Sequence, residues 1–272
     1  MVAASNTVTC APRRISAQAQ ASPKTPAPAT WITLAKAASF PDRCVMSDLT
    51  HPRPDDEPAL DWRDGGVPVS QQFDDPYFSL GGGLEETRHV FLAGNDLPAR
   101  LRPGFHVAET GFGTGLNALA LAQVATVPVR MTSFEAFPMS RAQLEQAHAA
   151  FPDLSALAAQ LRDGWGQGVI RVGQVALTVV LGDVRRTLPA WRDAADAWFL
   201  DGFSPAKNPQ MWGADVMAEV GAHTAPGGTF ATYTAAGHVR QALSDAGFEV
   251  LRNPGFGRKR HMSRGRLRTS DG

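Results

Sequence analysis

Residues 104–117, Gly-Phe-His-Val-Ala-Glu-Thr-Gly-Phe-Gly-Thr-Gly-Leu-Asn, constrain the fold more than any other stretch of the chain. Phe105 to Ala108 reads as a short buried strand that Glu109 and Thr110 end. Gly111, Gly113 and Gly115 then form a turn, and the apolar run from Leu116 to Val124 reads as a helix packed on the sheet. Strand, glycine turn and helix together are how an open α/β sheet makes a ligand crevice at the carboxyl end of a strand. Glycine lets the backbone turn sharply and lets a ligand approach with no Cβ in the way. The spacing excludes the dinucleotide pattern G-x-G-x-x-G, whose third glycine would fall where Leu116 stands. A carboxylate just before the glycines would repel a diphosphate, whereas it suits a cationic group. The plain alternative, a glycine-rich turn with no ligand, is disfavoured by the strand before it and the helix after it.

The pattern Glu-x-Gly-x-Gly-x-Gly resembles motif I of class I S-adenosylmethionine-dependent methyltransferases. That resemblance implies an α/β, Rossmann-like fold with a mostly parallel seven-stranded sheet and a small N-terminal extension, and S-adenosyl-L-methionine as cofactor. It puts Glu109 near the cofactor's cationic amino-acid end and Gly111, Gly113 and Gly115 along its backbone approach. A second strand, Val129 to Phe134, ends in Glu135, at the interval where an acid accepts ribose hydroxyls. Val169 to Val172 and Gln174 to Leu181 read as a strand pair joined by Gly173. Asp183 follows, either beside the cofactor's adenine amino group or as the cap of a helix over Val184 to Trp191. Asp196 to Leu200 is a buried strand running into Asp201-Gly202-Phe203-Ser204-Pro205-Ala206-Lys207-Asn208-Pro209, a loop whose prolines and glycine fix its path. Asp201 is placed to accept a hydrogen bond from an attacking amine, with a helix cap as its plainer role. Phe203 and Trp212 are suited to wall a flat base. Further helices are expected over Met139 to Ala150, Leu154 to Leu161, Gln210 to His223 and Ala235 to Ala246. Pro226 to Gly228 reads as a tight turn, with strands at Thr229 to Thr234, Phe248 to Arg252 and, antiparallel, Lys259 to Met262.

The 272 residues are ample for one sizeable core and a small appended element. Lysine plus arginine equals aspartate plus glutamate, 26 each, so bulk charge predicts no polyanion partner. The end of the chain is nonetheless basic, with Arg258, Lys259, Arg260, Arg264, Arg266 and Arg268. The two cysteines, Cys10 and Cys44, lie upstream of the expected domain. A disulfide scaffold and a cysteine metal site are therefore not expected. No apolar run approaches the roughly 18 residues of a membrane span, and a cytoplasmic location is the default. Residues 1–45 are alanine- and proline-rich and are expected to be disordered, with Met46 a candidate true start. Residues 46–103 read as strands and an amphipathic helix, Leu84 to Asn95, covering the site. Tyr77 and Phe78 fit either a lid or ordinary core, and Glu85 and Glu86 a solvated helix start. Residues 104–264 form the main domain and 265–272 a flexible basic tail.

Several longer stretches carry a more specific resemblance: Phe73 to Ser79, Gly83 to Arg88, Glu109 to Asn117, Asp196 to Pro209 with Met211-Trp212, Phe230 to Gly237, and Gly255 to Arg260. Together they resemble the methyltransferase domain of the MnmC family, whose stand-alone versions are called MnmD. The resemblance implies methylation of the aminomethyl group of 5-aminomethyl-2-thiouridine at the tRNA wobble position. It implies Asp201 as the catalytic carboxylate and Tyr77 as a further cofactor contact. Glu86, Phe203, Lys207, Trp212, Arg258, Lys259 and Arg260 fall on the substrate or tRNA side. Bifunctional members continue into a flavin-dependent domain. No second glycine-rich nucleotide loop follows here, so separate enzymes are expected to supply the aminomethyl substrate. Two alternatives remain at this level: the same fold acting on a protein or small-molecule amine, and a non-catalytic partner with a degenerate site.

Overall fold

A computed structural model describes residues 57–269. The expectations for residues 1–45 lie outside them. The main sheet has eight strands: β4 (His106–Glu109), β5 (Val129–Glu135), β6 (Ile170–Val172), β7 (Val175–Leu181), β8 (Ala195–Phe199), β9 (Thr224–Thr232), β10 (Phe248–Pro254) and β11 (His261–Leu267). They lie in the order β10-β11-β9-β8-β4-β5-β7-β6. The five central strands, β9-β8-β4-β5-β7, are parallel. β6 adds an antiparallel edge on β7, the expected strand pair, and the sheet has eight strands where seven were expected. At the other side β11 runs antiparallel to both β9 and β10.

Period-two alternation gives each central strand two buried faces. Val107, Met131, Leu177 and Phe199 pack on one side with Leu119 and Leu121 of α2 (Leu116–Val124). On the other side Ala108, Phe134, Trp198 and Phe230 pack with Val216 of α6 (Ala214–Ala222) and Val239 and Leu243 of α7 (Gly237–Asp245). The chain leaves β4 through α2 to reach β5, while β8 lies on β4's other flank. That reversal opens a crevice at the carboxyl ends of β4 and β8.

Residues ahead of β4 form a three-stranded antiparallel sheet, β1 (Leu60–Arg63), β2 (Val67–Ser70) and β3 (Asp75–Pro76). A helical segment follows: α1 (Gly83–Thr87), a π-type turn over Arg88–Leu92 and a 3-10 turn over Ala93–Asn95. Leu84, Val90, Phe91 and Leu92 are buried, including the expected Leu84 and Phe91, while Arg88, expected on the same side, is exposed. Asn95 ends the segment fully buried. Its Nδ2 donates to the Phe91 and Trp198 carbonyls, and its Oδ1 accepts from Thr229 Oγ1 at 2.6 Å.

Some elements differ from the sequence expectation. The helix expected over Val184 to Trp191 is only α5 (Val184–Thr187), and that over Gln210 to His223 splits into a 3-10 turn and α6. Ahead of both, the capping box of Ser140 and Gln143 starts α3 (Arg141–His148), and α4 spans Ser155–Asp163. Pro226 to Gly228 is a bulge inside β9, where Ala195 pairs with Thr224 but Ala197 with Thr229. The last strand begins at His261, so Lys259 and Arg260 precede it and Gly265 to Leu267, expected in a flexible tail, are part of it. Pairing on both flanks explains why so polar a segment is held as strand.

Candidate active site

A cavity of about 740 Å³ opens at the carboxyl ends of the central strands. The glycine loop, the loop after β8 and residues between Gln72 and Thr87 line it. The three glycines do different work. A Cβ on Gly111 would stand 2.9 Å from the Asp201 carbonyl oxygen, so the loops after β4 and β8 meet only because none is there. Gly113, at φ +54°, passes under the Tyr77 ring, 3.1 Å from where its Cβ would be. Gly115 does not line the cavity. It turns the chain into α2 at φ +74°, with Phe112 and Leu161 packed over it.

Three carboxyl groups gather beneath this loop. Glu135 accepts from the Gly113 and Phe137 backbone N–H groups, each at 2.7 Å, and burial raises its pKa against those hydrogen bonds. Its lone pairs beyond these two bonds remain available to hydroxyl groups at the cavity wall. Glu109 is fully buried and lies behind the lining. It accepts from Ser133 Oγ at 2.6 Å and Asn117 Nδ2 at 2.7 Å, and burial pushes its pKa well up. Asn117, which lines the cavity, stands between Glu109 and the open space. Asn117 Nδ2 also donates to Asp201 Oδ2 at 2.8 Å, while its Oδ1 accepts from Thr87 Oγ1 at 2.9 Å, which sets the amide's orientation. Asp201 lines the cavity and accepts on Oδ1 from the Gly202 N–H. Burial lifts its pKa to about 6, although the Gly202 and Asn117 hydrogen bonds and the Lys259 charge pull the other way. Asn117, adjacent to the glycine loop, was not singled out from sequence. Its position in the first turn of α2 was the available signal.

Asp183 both lines the cavity and caps α5, accepting from the Arg185 N–H and pairing with the Arg185 guanidinium. Opposite, the Phe203 ring stacks on Phe73 at 4.6 Å and meets Tyr77 edge-on at 4.9 Å. Burial, with the Glu135 charge, raises the Tyr77 pKa, so the phenol stays neutral. The loop after β8 is tied to the N-terminal wall: Asp75 Oδ2 accepts from the Ser204 N–H at 2.7 Å, and Lys207 pairs with Asp74 at 2.7 Å. Lys207 thus reaches the cavity lining with its ammonium already paired. Trp212 does not wall the cavity. It is buried in the core, and its indole N–H holds the Phe203 carbonyl at 2.8 Å, bracing the loop from behind.

Glu86 is buried at 8% exposure and faces the cavity, unlike its exposed neighbour Glu85. A solvated helix start therefore describes Glu85 alone. Arg258, Lys259 and Arg260 sit at the tip of the hairpin between β10 and β11. All three are exposed, and only Lys259 reaches the lining. Tyr233, at the end of β9, completes this side, its hydroxyl donating to the Gly202 carbonyl at 2.7 Å. Among the described residues no helix is long and apolar enough to cross a membrane.

A glycine cradle beside the buried carboxyl groups of Glu109 and Glu135, neither of which has a cationic partner among the described residues, fits a ligand carrying a nucleoside and a positive charge. Residues 148–268 match a family described as S-adenosyl-L-methionine-dependent methyltransferase. The chain is 44% identical over 229 residues to the tRNA 5-methylaminomethyl-2-thiouridine biosynthesis bifunctional protein MnmC of Stutzerimonas stutzeri, covering 78% of this chain and 35% of that protein. It is 46% identical over 252 residues to MnmC of Marinobacter nauticus, covering 84% and 39%. The chain therefore spans little more than a third of the length of these relatives. Among solved structures, MNMC2 from Aquifex aeolicus matches with a TM-score of 0.62 at 22% identity, covering 78% of this chain and 71% of that one. The described residues thus have the class I S-adenosylmethionine-dependent methyltransferase fold, and the chain is similar in sequence to a segment of the MnmC proteins.

Proposed function

We propose that this chain methylates the aminomethyl nitrogen of 5-aminomethyl-2-thiouridine at the tRNA wobble position, giving 5-methylaminomethyl-2-thiouridine. The observation that carries the reading is Asp201: a carboxylate at the carboxyl end of β8, fixed on both oxygens, lining the cavity where the loop after β8 meets the glycine loop. The names of the relatives, which place those proteins in 5-methylaminomethyl-2-thiouridine biosynthesis, support the choice of substrate. The chain works on this reading in the cytoplasm, on tRNA that already carries the aminomethyl group.

S-adenosylmethionine, when bound, supplies an electrophilic methyl group on a sulfonium. Glu135 would hold its ribose hydroxyls and Asp183, at the cap of α5, its adenine amino group. Gly111 and Gly113 give the backbone room, with Tyr77 closing over Gly113. Glu109 acts through Asn117 at the amino-acid end. Phe203 and its partner Phe73 present aromatic surface to the uridine base. A primary amine attacks only with its lone pair free, so it must first lose a proton. Asp201 orients the amine and takes that proton. A carboxyl pKa lifted to about 6 makes it a better base than an ordinary aspartate while leaving it ionised at neutral pH. Alignment of amine and methyl in one cavity supplies much of the remaining rate.

The deciding experiment incubates the protein with methyl-labelled cofactor and tRNA lacking the final methyl, then digests the tRNA. Label in 5-methylaminomethyl-2-thiouridine is the expected result. TRNA that stays unlabelled overturns the reading.

A further inference from the structure

Lys259 brings a primary amine of the chain's own into the cavity. Its Nζ donates to Glu86 Oε1 at 2.7 Å and lies 4.2 Å from the centroid of the Tyr233 ring. A carboxylate on one side and an aromatic face on the other make a seat for an ammonium ion. The seat is built rather than incidental. The second Glu86 oxygen accepts from Ser79 Oγ, and the Tyr233 hydroxyl is held by the Gly202 carbonyl, next to Asp201. Glu86, Tyr233, Lys259 and Asp201 all line the same cavity, and the Lys259 charge is felt at Asp201.

We propose that Glu86 and Tyr233, beside Asp201, form the seat for the substrate's primary amine, and that Lys259 occupies this seat until the substrate displaces it. The proposal rests on the aminomethyl reading above, because lysine and an aminomethyl group present the same chemistry: an ammonium on a methylene stem. A substrate amine in the seat has Glu86 and Tyr233 to bind its charge and Asp201 to receive its proton. Leaving is simple for Lys259. Its side chain is 42% exposed, it stands on a hairpin tip, and it needs only side-chain rotation to reach solvent. The exposed Arg258 and Arg260 flank it on that tip, so a polyanion bound there offers the departing ammonium phosphate oxygens in place of Glu86.

Occupation of the seat by Lys259 for about 90% of the time weakens apparent substrate affinity about tenfold. The test is calorimetric titration of the full chain with 5-aminomethyluridine in the presence of S-adenosylhomocysteine. Lys259→Met is expected to bind about tenfold more tightly than wild type, and Glu86→Gln more weakly than wild type. The two effects should fail to add in the double variant, since both act on one seat. Lys259→Gln, with thermal melts of every variant, guards against misfolding. Unchanged or weaker binding in folded Lys259→Met and Lys259→Gln overturns the proposal, as does absence of binding to any variant. Wild-type tRNA methylation is measured alongside. Tighter binding without tRNA turnover keeps the seat and removes the tRNA reading. Turnover with unchanged binding removes the seat alone.

Discussion

Asp201 is held on one oxygen by the Gly202 N–H and on the other by Asn117, yet burial keeps its pKa near 6. A base of that strength, lining the cavity, predicts a specific separation of effects. Asp201→Ala should lower single-turnover methylation by about 10²–10⁴ while changing cofactor affinity far less. Turnover within about threefold of wild type would remove its assigned role. The ionised form is the one needed, so kcat should fall on acidification through about pH 6. Asn117→Ala removes a hydrogen bond that favours the carboxylate, and should move that acid limb to higher pH. A limb that does not move would mean Asn117 is only packing. At this scale the sequence was informative where position at a strand end sufficed, as for Glu135 and Asp201. Spacing tells where the chain turns but not which way a side chain points. Glu109 was therefore legible as an acid before the glycines, while its enclosure behind Asn117 was not. Trp212 shows the converse: an aromatic near a site reads as a wall until the fold turns it into the core.

Elements set how closely these residues approach. The loops after β4 and β8 touch at Gly111, where a Cβ would stand 2.9 Å from the Asp201 carbonyl oxygen and 3.2 Å from Gly202 Cα. Both neighbours are backbone, so neither can rotate away. Gly111→Ala should therefore cost about 1–3 kcal/mol of stability, typical of overpacking, and should move Asp201 enough to lower turnover as well. Denaturant unfolding and turnover on the same preparation test this, and a variant unchanged in both would show the contact to be slack. The β10–β11 hairpin makes a second prediction. If the exposed Arg258 and Arg260 contact phosphates, each change to Ala should weaken tRNA binding and reduce the slope of log affinity against log salt by about one. A slope that stays put would place the tRNA elsewhere. The strand–turn–helix unit and the parallel core were readable because their apolar runs are long. β11 was misplaced because His-Met-Ser-Arg-Gly-Arg-Leu lacks such a run, and strand there depends on neighbours distant in sequence. The bulge in β9 was read as a turn because Pro-Gly-Gly carries the same local signal for both.

Across the whole molecule the buried histidines and the buried carboxyl groups store opposite responses to pH. At the amino end of β4, His106 is buried, with Nε2 against Thr132 Oγ1 at 2.9 Å and Nδ1 against the Ala194 carbonyl at 3.1 Å. Burial, then the Arg130 charge, depresses its pKa to about 4 despite Asp193 and Asp196 nearby. The unfolded chain takes this proton near 6.5 and the folded protein only near 4. Between those values the unfolded state binds more protons, so acidification through this group costs stability. Asp201, at the carboxyl end, does the reverse. The folded protein takes its proton near 6 and the unfolded chain near 3.8, so acidification in that window adds stability. Glu109 and Glu135 act in the same sense as Asp201, and His148 in the same sense as His106. Each group contributes a slope of at most about 1.4 kcal/mol per pH unit, and the opposed pair largely cancels between pH 6 and 4. Single variants should uncover the two halves. In Asp201→Asn, stability should fall more steeply than wild type as pH drops from 6 to 4. In His106→Gln, which keeps hydrogen-bonding capacity, it should fall less steeply or rise. Urea unfolding at pH 6, 5 and 4 reads the slopes directly. Three parallel slopes would mean that neither buried group carries the charge change assigned to it, and that the basicity inferred for Asp201 in the reaction has lost its physical ground.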